Sequence, residues 1–171
     1  MSLPKIWTSS NSGCRWSPDK AYRYWLYRRM IRSEFRLRAC IGLNPSTADE
    51  TTDDRTVRRL VVRAADDGFA EFVMLNLFAY RSTDSSKMLA EHDPVGKNNN
   101  ADLLDWCRQA EQIVLCWGNH GSHLGRSAQV LEMLRPYASK LYCFGLTKSG
   151  EPRHPLYLPK NTPLVKWKYP T

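Results

Sequence analysis

Three apolar runs of this chain end in polar residues suited to meeting a small ligand. The first runs into Gly42-Leu43-Asn44-Pro45-Ser46-Thr47-Ala48-Asp49, and the second carries Asn76 within Met74-Leu75-Asn76-Leu77-Phe78. The third runs into Trp117-Gly118-Asn119-His120-Gly121, followed by His123, and a fourth segment further on contains His154-Pro155. Glycine lets a backbone approach a ligand closely, and Asn before Pro forces a turn that points its side chain out of the strand end. An asparagine amide offers one donor group and one acceptor, but it cannot act as a general base.

Each of these residues also has a plainer role. Asn44 serves as a turn residue before proline, and Asn76, a polar group in an apolar strand, can be held by a neighbouring loop. His120 and His123 sit in a Gly-rich turn and can cap a helix or face solvent. His120-x-x-His123 with Asp49 lacks any recognised zinc spacing, so no metal is expected. Asp49-Glu50 and Asp53-Asp54 read as a loop and a helix start, where carboxylates complement the helix dipole. A magnesium role for them would imply phosphotransfer or nuclease chemistry.

The elements that must position these groups alternate. Strands are read at Leu37–Asn44, Phe72–Phe78, Gln112–Gly118 and Lys140–Leu146, with a last short one at Thr162–Trp167. Helices are read at Asp53–Gly68, Asn98–Ala110 and Ser127–Tyr137; in the first, Val57, Leu60, Val61 and Ala64 recur at helical spacing. Near-continuous apolar strands separated by helices predict an α/β fold of three layers, with a mostly parallel central sheet of four or five strands. Ligands in such sheets bind at the carboxyl ends of the strands. Arg23–Met30 reads as an edge strand or hairpin, and residues 1–20, polar and rich in Ser and Pro, as an irregular arm ahead of a core at 37–167.

A length of 171 residues suits one domain, able to bury roughly two-thirds of its unfolded surface. Lys and Arg number 25 against 17 Asp and Glu, a net charge of +8 that suits a polyanionic partner, DNA or a nucleotide. Lys148, Arg153 and Lys160 are the best placed to meet phosphates, with Arg58 and Arg59 on a largely solvated helix face behind them. Tyr22, Tyr24, Trp25 and Tyr27 interleave with Arg23, Arg28 and Arg29, a pattern that suits stacking on single-stranded bases or an amphipathic core strand. The five cysteines are widely spaced; Cys40, Cys116 and Cys143 lie in apolar runs and read as buried free thiols. No run approaches the ~20 apolar residues of a membrane span, and the N-terminus has no signal-peptide core. A cytoplasmic protein with no membrane, cofactor or obligate protein partner is expected.

The same segments resemble the uracil-DNA glycosylase superfamily. Gly42-Leu43-Asn44-Pro45-Ser46 is similar to the Gly-(Ile/Met)-Asn-Pro-Gly motif of its mismatch-specific and single-strand-selective branches. Phe72–Arg81 resembles the strand whose Asn reads the base, Ile113–Gly121 the Leu-Leu-Trp-Gly strand, and His154–Leu158 the closing His-Pro-Ser-Pro motif. All four occur in the superfamily's order from Leu37 to Leu158. As a whole the chain resembles more closely an uncharacterised bacterial and phage family, a domain of unknown function, which carries no activity with it.

The glycosylase resemblance implies an Asn44 that orients the attacking water, an Asn76 that matches the uracil N3–H and O4 edge, and a His154 that donates to the base O2. The base would leave the helix stack to reach the pocket. Gly42, Pro45, Ser46, Asn119 and His120 would line the pocket, with Phe78 nearest to the role of stacking aromatic. Ser46 stands where Gly is usual and Leu156 where Ser makes a phosphate contact; Leu156 or Leu158 could serve as a wedge or as ordinary packing. Three functions follow: a DNA N-glycosylase, a non-catalytic module that recognises a base or nucleotide, and an enzyme of free nucleotides.

Overall fold

The computed structural model describes residues 7–31 and 35–170. The first six residues of the expected arm lie outside that range. The strands are β1 (Gly13–Trp16), β2 (Arg23–Arg29), β3 (Leu37–Gly42), β4 (Glu71–Asn76), β5 (Gln112–Leu115), β6 (Leu141–Cys143) and β7 (Val165–Lys166). The helices are α1 (Arg55–Asp66), α2 (Ser85–Ala90), α3 (Asn99–Gln109) and α4 (Arg126–Met133).

The fold is α/β, but the sheet is mixed and has seven strands rather than four or five, in the order β1-β2-β4-β3-β5-β6-β7. The pairs β4–β3, β3–β5 and β5–β6 are parallel; β1–β2, β2–β4 and β6–β7 are antiparallel. The extra strands come from the N-terminal segment. Residues 13–16 of the expected irregular arm form β1, and β2 is the second strand of a hairpin that docks on β4 rather than an edge.

Side chains alternate between the two faces of the central strands, as a pleated backbone requires. Ala39, Ile41, Val73, Leu75, Ile113 and Leu115 pack with Leu103 and Cys107 of α3 and Val130 of α4. Cys40, Phe72, Met74, Val114 and Cys116 pack on the opposite face with Val57, Leu60, Val61 and Ala64 of α1. Both faces are therefore covered, which is why these strands read as continuous apolar runs. Helix α1 starts where the Asp54 side chain accepts from Val57 N at 2.9 Å and stops before Gly68, whose φ of +85° favours glycine. Helix α2, one short turn-and-a-half with a single buried residue, Met88, has no counterpart in the sequence reading. Cys40, Cys116 and Cys143 are buried free thiols.

The chain leaves β3 through α1 to reach β4 on one side, and leaves β5 through α4 to reach β6 on the other. The carboxyl ends of β3 and β5 thus form a switch point, where diverging connections open a crevice.

Candidate functional site

A cleft of about 490 Å³ opens at that point. Gly42, Asn44 and Ser46 line it from the end of β3, Met74 and Asn76 from β4, and Trp117, Gly118, Asn119 and His120 from the end of β5. Arg153, His154 and Tyr157 close it from the segment after β6, and Arg23 and Asp54 complete the wall.

Gly42 leaves space that the ends of the Met74 and Asn76 side chains occupy. A Cβ there would lie 2.5 Å from Met74 Cε and 3.2 Å from Asn76 Oδ1, so the glycine makes room for the Asn76 side chain. Beyond the strand ends the two loops zip together, with Leu77 N donating to Gly42 O at 2.9 Å and Phe78 N to Leu43 O at 3.0 Å.

Asn76 is 1% exposed, and neither its Oδ1 nor its Nδ2 has a hydrogen-bond partner among the described residues. Its backbone, in contrast, is pinned from behind. Asn99 Nδ2 donates to the carbonyls of both Asn76 and Leu77 at 3.0 Å, and the buried Arg126 donates Nε to Leu77 O at 2.8 Å. Arg126 is itself held by Gln129 Oε1 and Asn100 Oδ1. The strand end is thus rigid while its amide is free. Asn99→Ala removes the donor shared by two buried carbonyls and is expected to cost about 1–3 kcal/mol; chemical denaturation measures it.

Asn44 is differently engaged. Its Nδ2 donates to Pro45 O at 3.0 Å and to Ser82 O at 2.9 Å, so the amide braces its own turn while lining the cleft. On the β5 side, Trp117 Nε1 donates to Glu151 Oε2 at 2.5 Å, and Ser127 Oγ donates to the other oxygen of that carboxylate at 2.9 Å. Gly118, at φ +76°, turns the chain toward His154, and Asn119 Oδ1 accepts from Ser149 Oγ at 2.7 Å.

His154 is half-buried, and its Nδ1 accepts from Leu156 N at 3.3 Å. That bond assigns the proton of the neutral ring to Nε2, which becomes the donor. Burial pushes its pKa below the ordinary 6.5, with Asp54 opposing the shift and Arg59 adding to it. Asp54 has one carboxylate oxygen engaged in capping α1 and lines the cleft beside His154. The Tyr157 ring lies 5.4 Å from the imidazole at the rim and is 85% exposed.

The expected site residues divide accordingly. The structure brings together Gly42, Asn44, Ser46, Asn76, Asn119, His120, Arg153 and His154. Pro45 is buried behind the wall, and Lys148 is exposed away from it. Phe78 is corrected: it is 0% exposed, packs in the core with Leu77 and Met88, and sits 5.8 Å from the His123 ring. It therefore has no face toward the cleft. Lys160 lines a second groove along α1 with Leu156 and Leu158, beside Arg55, Arg58, Arg59 and Arg63. There Arg59 is tied to Leu158 O at 2.6 Å and Arg63 to Thr162 O at 2.8 Å.

Sequence reasoning missed Arg23, Asp54 and Tyr157. Among the described residues no group of three or more His, Cys, Asp or Glu is placed to hold a metal ion, and no helix is long and apolar enough to cross a membrane.

No curated protein and no solved structure matches the chain. A family model does match, over residues 23–156, from the first residue of β2 to the turn that carries His154. The matched stretch covers well over half of the chain and holds every cleft residue named above except Tyr157, and the chain belongs to the family described as "Protein of unknown function (DUF1643)".

Proposed function

We propose that this cleft takes a nucleobase and that the protein hydrolyses the N-glycosidic bond of a damaged or deaminated base in DNA, on a fold of the uracil-DNA glycosylase kind. The observation that carries the reading is Asn76. A buried amide with no partner is costly, and its donor and acceptor suit the N3–H and O4 edge of a uracil-like ring.

In this reading the base leaves its stack and enters the cleft edge-on against Asn76. Tyr157, not Phe78, offers it an aromatic face at the rim. The bond from C1′ to the base nitrogen breaks, and a water oxygen bonds to C1′. Negative charge develops on the departing base, where His154 Nε2–H donates to O2. Asn44 Oδ1 orients the water. Asp54, the carboxylate in the cleft, accepts the proton that an amide cannot. Arg153 at the rim, with Lys148 and the Arg55 and Arg58 face of α1, would follow the phosphates. Arg153→Ala is expected to weaken DNA binding for all sequences alike and to reduce the slope of log K against log salt by about one; fluorescence anisotropy over a salt series measures it.

The test is strand cleavage on fluorescent single- and double-stranded DNA carrying uracil, hypoxanthine or a mismatch, with the wild type and Asn76→Ala. Base release lost in the variant supports the reading, and intact DNA with every lesion tested rejects it. A second reading, a non-catalytic reader of bases, is favoured by Asn44, whose amide nitrogen is already tied to Pro45 and Ser82. Binding without release, abolished by Asn76→Ala, would select it. Binding of free nucleotides with little salt dependence would select an enzyme of the nucleotide pool instead.

A further inference from the structure

Arg23 opens β2, is 1% exposed, and still lines the cleft. Its Nη1 donates to Ala48 O at 2.6 Å, and its Nε is buried with no partner among the described residues. Of the three other buried arginines, Arg28 meets Asp53 at 3.0 Å and Arg38 meets Asp67 at 2.7 Å, while Arg126, in no ion pair, has its Nε, Nη1 and Nη2 each bonded to a neutral oxygen. None of the ion pairs among the described residues includes Arg23. Asp54 shares the wall without pairing with it.

An arginine keeps its charge at any ordinary pH. A buried cation without a counter-ion is among the least favourable arrangements in a folded protein, and its usual remedy is an anion. Here that arrangement adjoins a second unsatisfied group. Strand β2 lies directly beside β4, and Arg23 N donates to Ala79 O at 2.9 Å, three residues past Asn76. A cation and an amide, both desolvated and both incompletely bonded, thus face one cavity.

We infer that the ligand carries negative charge at the end that meets Asn76, and that Arg23 is the group that receives it. The chemical class is a planar heterocycle with an anionic edge, from either an acidic ring substituent or a ring that ionises as it departs. The inference rests on the base-binding reading above. It also gives Arg23 a function that neither the motif segments nor the loop contact to Ala48 would require.

The experiment is calorimetric titration of the full chain with uracil, with uracil carrying a carboxylate at C5 or C6, and with inorganic phosphate. At least one carboxylated uracil is expected to bind about tenfold tighter than uracil, since charge-assisted hydrogen bonds are roughly twice as strong as neutral ones. The preference should vanish in Arg23→Gln and survive in part in Arg23→Lys. Equal binding of charged and neutral bases by the wild type overturns the inference, whether or not either variant folds. So does a preference that persists in Arg23→Gln, or Arg23-dependent binding of phosphate alone. Uracil bound through Asn76 without any charge preference would sink this inference and leave the base-binding reading standing; no binding of any probe would sink both.

Discussion

Asn76→Ala is expected to lower kcat/KM for base release by about 10²–10³, the loss typical of removing one preorganised hydrogen-bonding group from a reacting centre. The same position should behave oppositely in stability. Both amide atoms are buried and unpartnered among the described residues, so no protein group offsets their desolvation cost. Asn76→Leu, close in size and without polar atoms, is expected to raise stability by about 1–2 kcal/mol while eliminating activity. Denaturant melts and strand-cleavage rates on the two variants measure both halves. An Asn76→Leu protein that is less stable than the wild type would mean the amide has a structural partner.

His154→Ala is expected to cost a further 10²-fold or so in kcat, with KM little changed, because its bond to the base strengthens only as charge develops. In the proposed reaction the neutral ring is the working form, with Nε2–H as the donor. Burial holds the folded pKa below 6.5, so activity should be level above 6.5 and fall as pH drops through the depressed value. Stability follows the same sign. The unfolded chain takes up the proton near 6.5, before the folded one does, so the stability carried by the buried neutral ring is complete above 6.5 and is lost as pH falls through the folded value. His154→Gln should flatten both acid limbs. A wild-type rate that rises on acidification would show that the imidazolium is the working form.

Much of this arrangement is legible in the residues. Strands β3, β4 and β5 announce themselves because they are buried on both faces, and α1 because Val57, Leu60, Val61 and Ala64 form one stripe. The last short strand read at Thr162–Trp167 is present as β7, although only Val165 and Lys166 form it and both are exposed. Asn44 and Asn76 stand out as polar groups at the ends of apolar runs, and His154 by its place before Pro155 in a loop segment. Asp54 does not, because it really is a helix cap, and that role accounts for the residue completely on the page of sequence. Arg23 sits among Tyr22, Tyr24 and Trp25 and reads as part of an amphipathic strand; only the packing of β2 on β4 buries it beside a cavity. Phe78 misleads for a geometric reason. Two residues past Asn76, it would share the amide's face if the strand continued, but β4 ends at Asn76 and the turn sends the ring into the opposite core.

The hairpin of β1 and β2 has a consequence for how the chain can be shortened. It covers the outer edge of β4 through the pairs Leu26–Met74, Tyr27–Val73 and Arg28–Phe72. Its arginines also hold the loop after β3, Arg23 at Ala48 and Arg28 at Asp49, Thr52 and Asp53. A chain cut to begin at Leu37 would keep every recognisable motif, yet it would bare a long apolar strand edge with unpaired N–H and C=O groups. Such an edge recruits other chains, so the shortened protein would be driven toward aggregation.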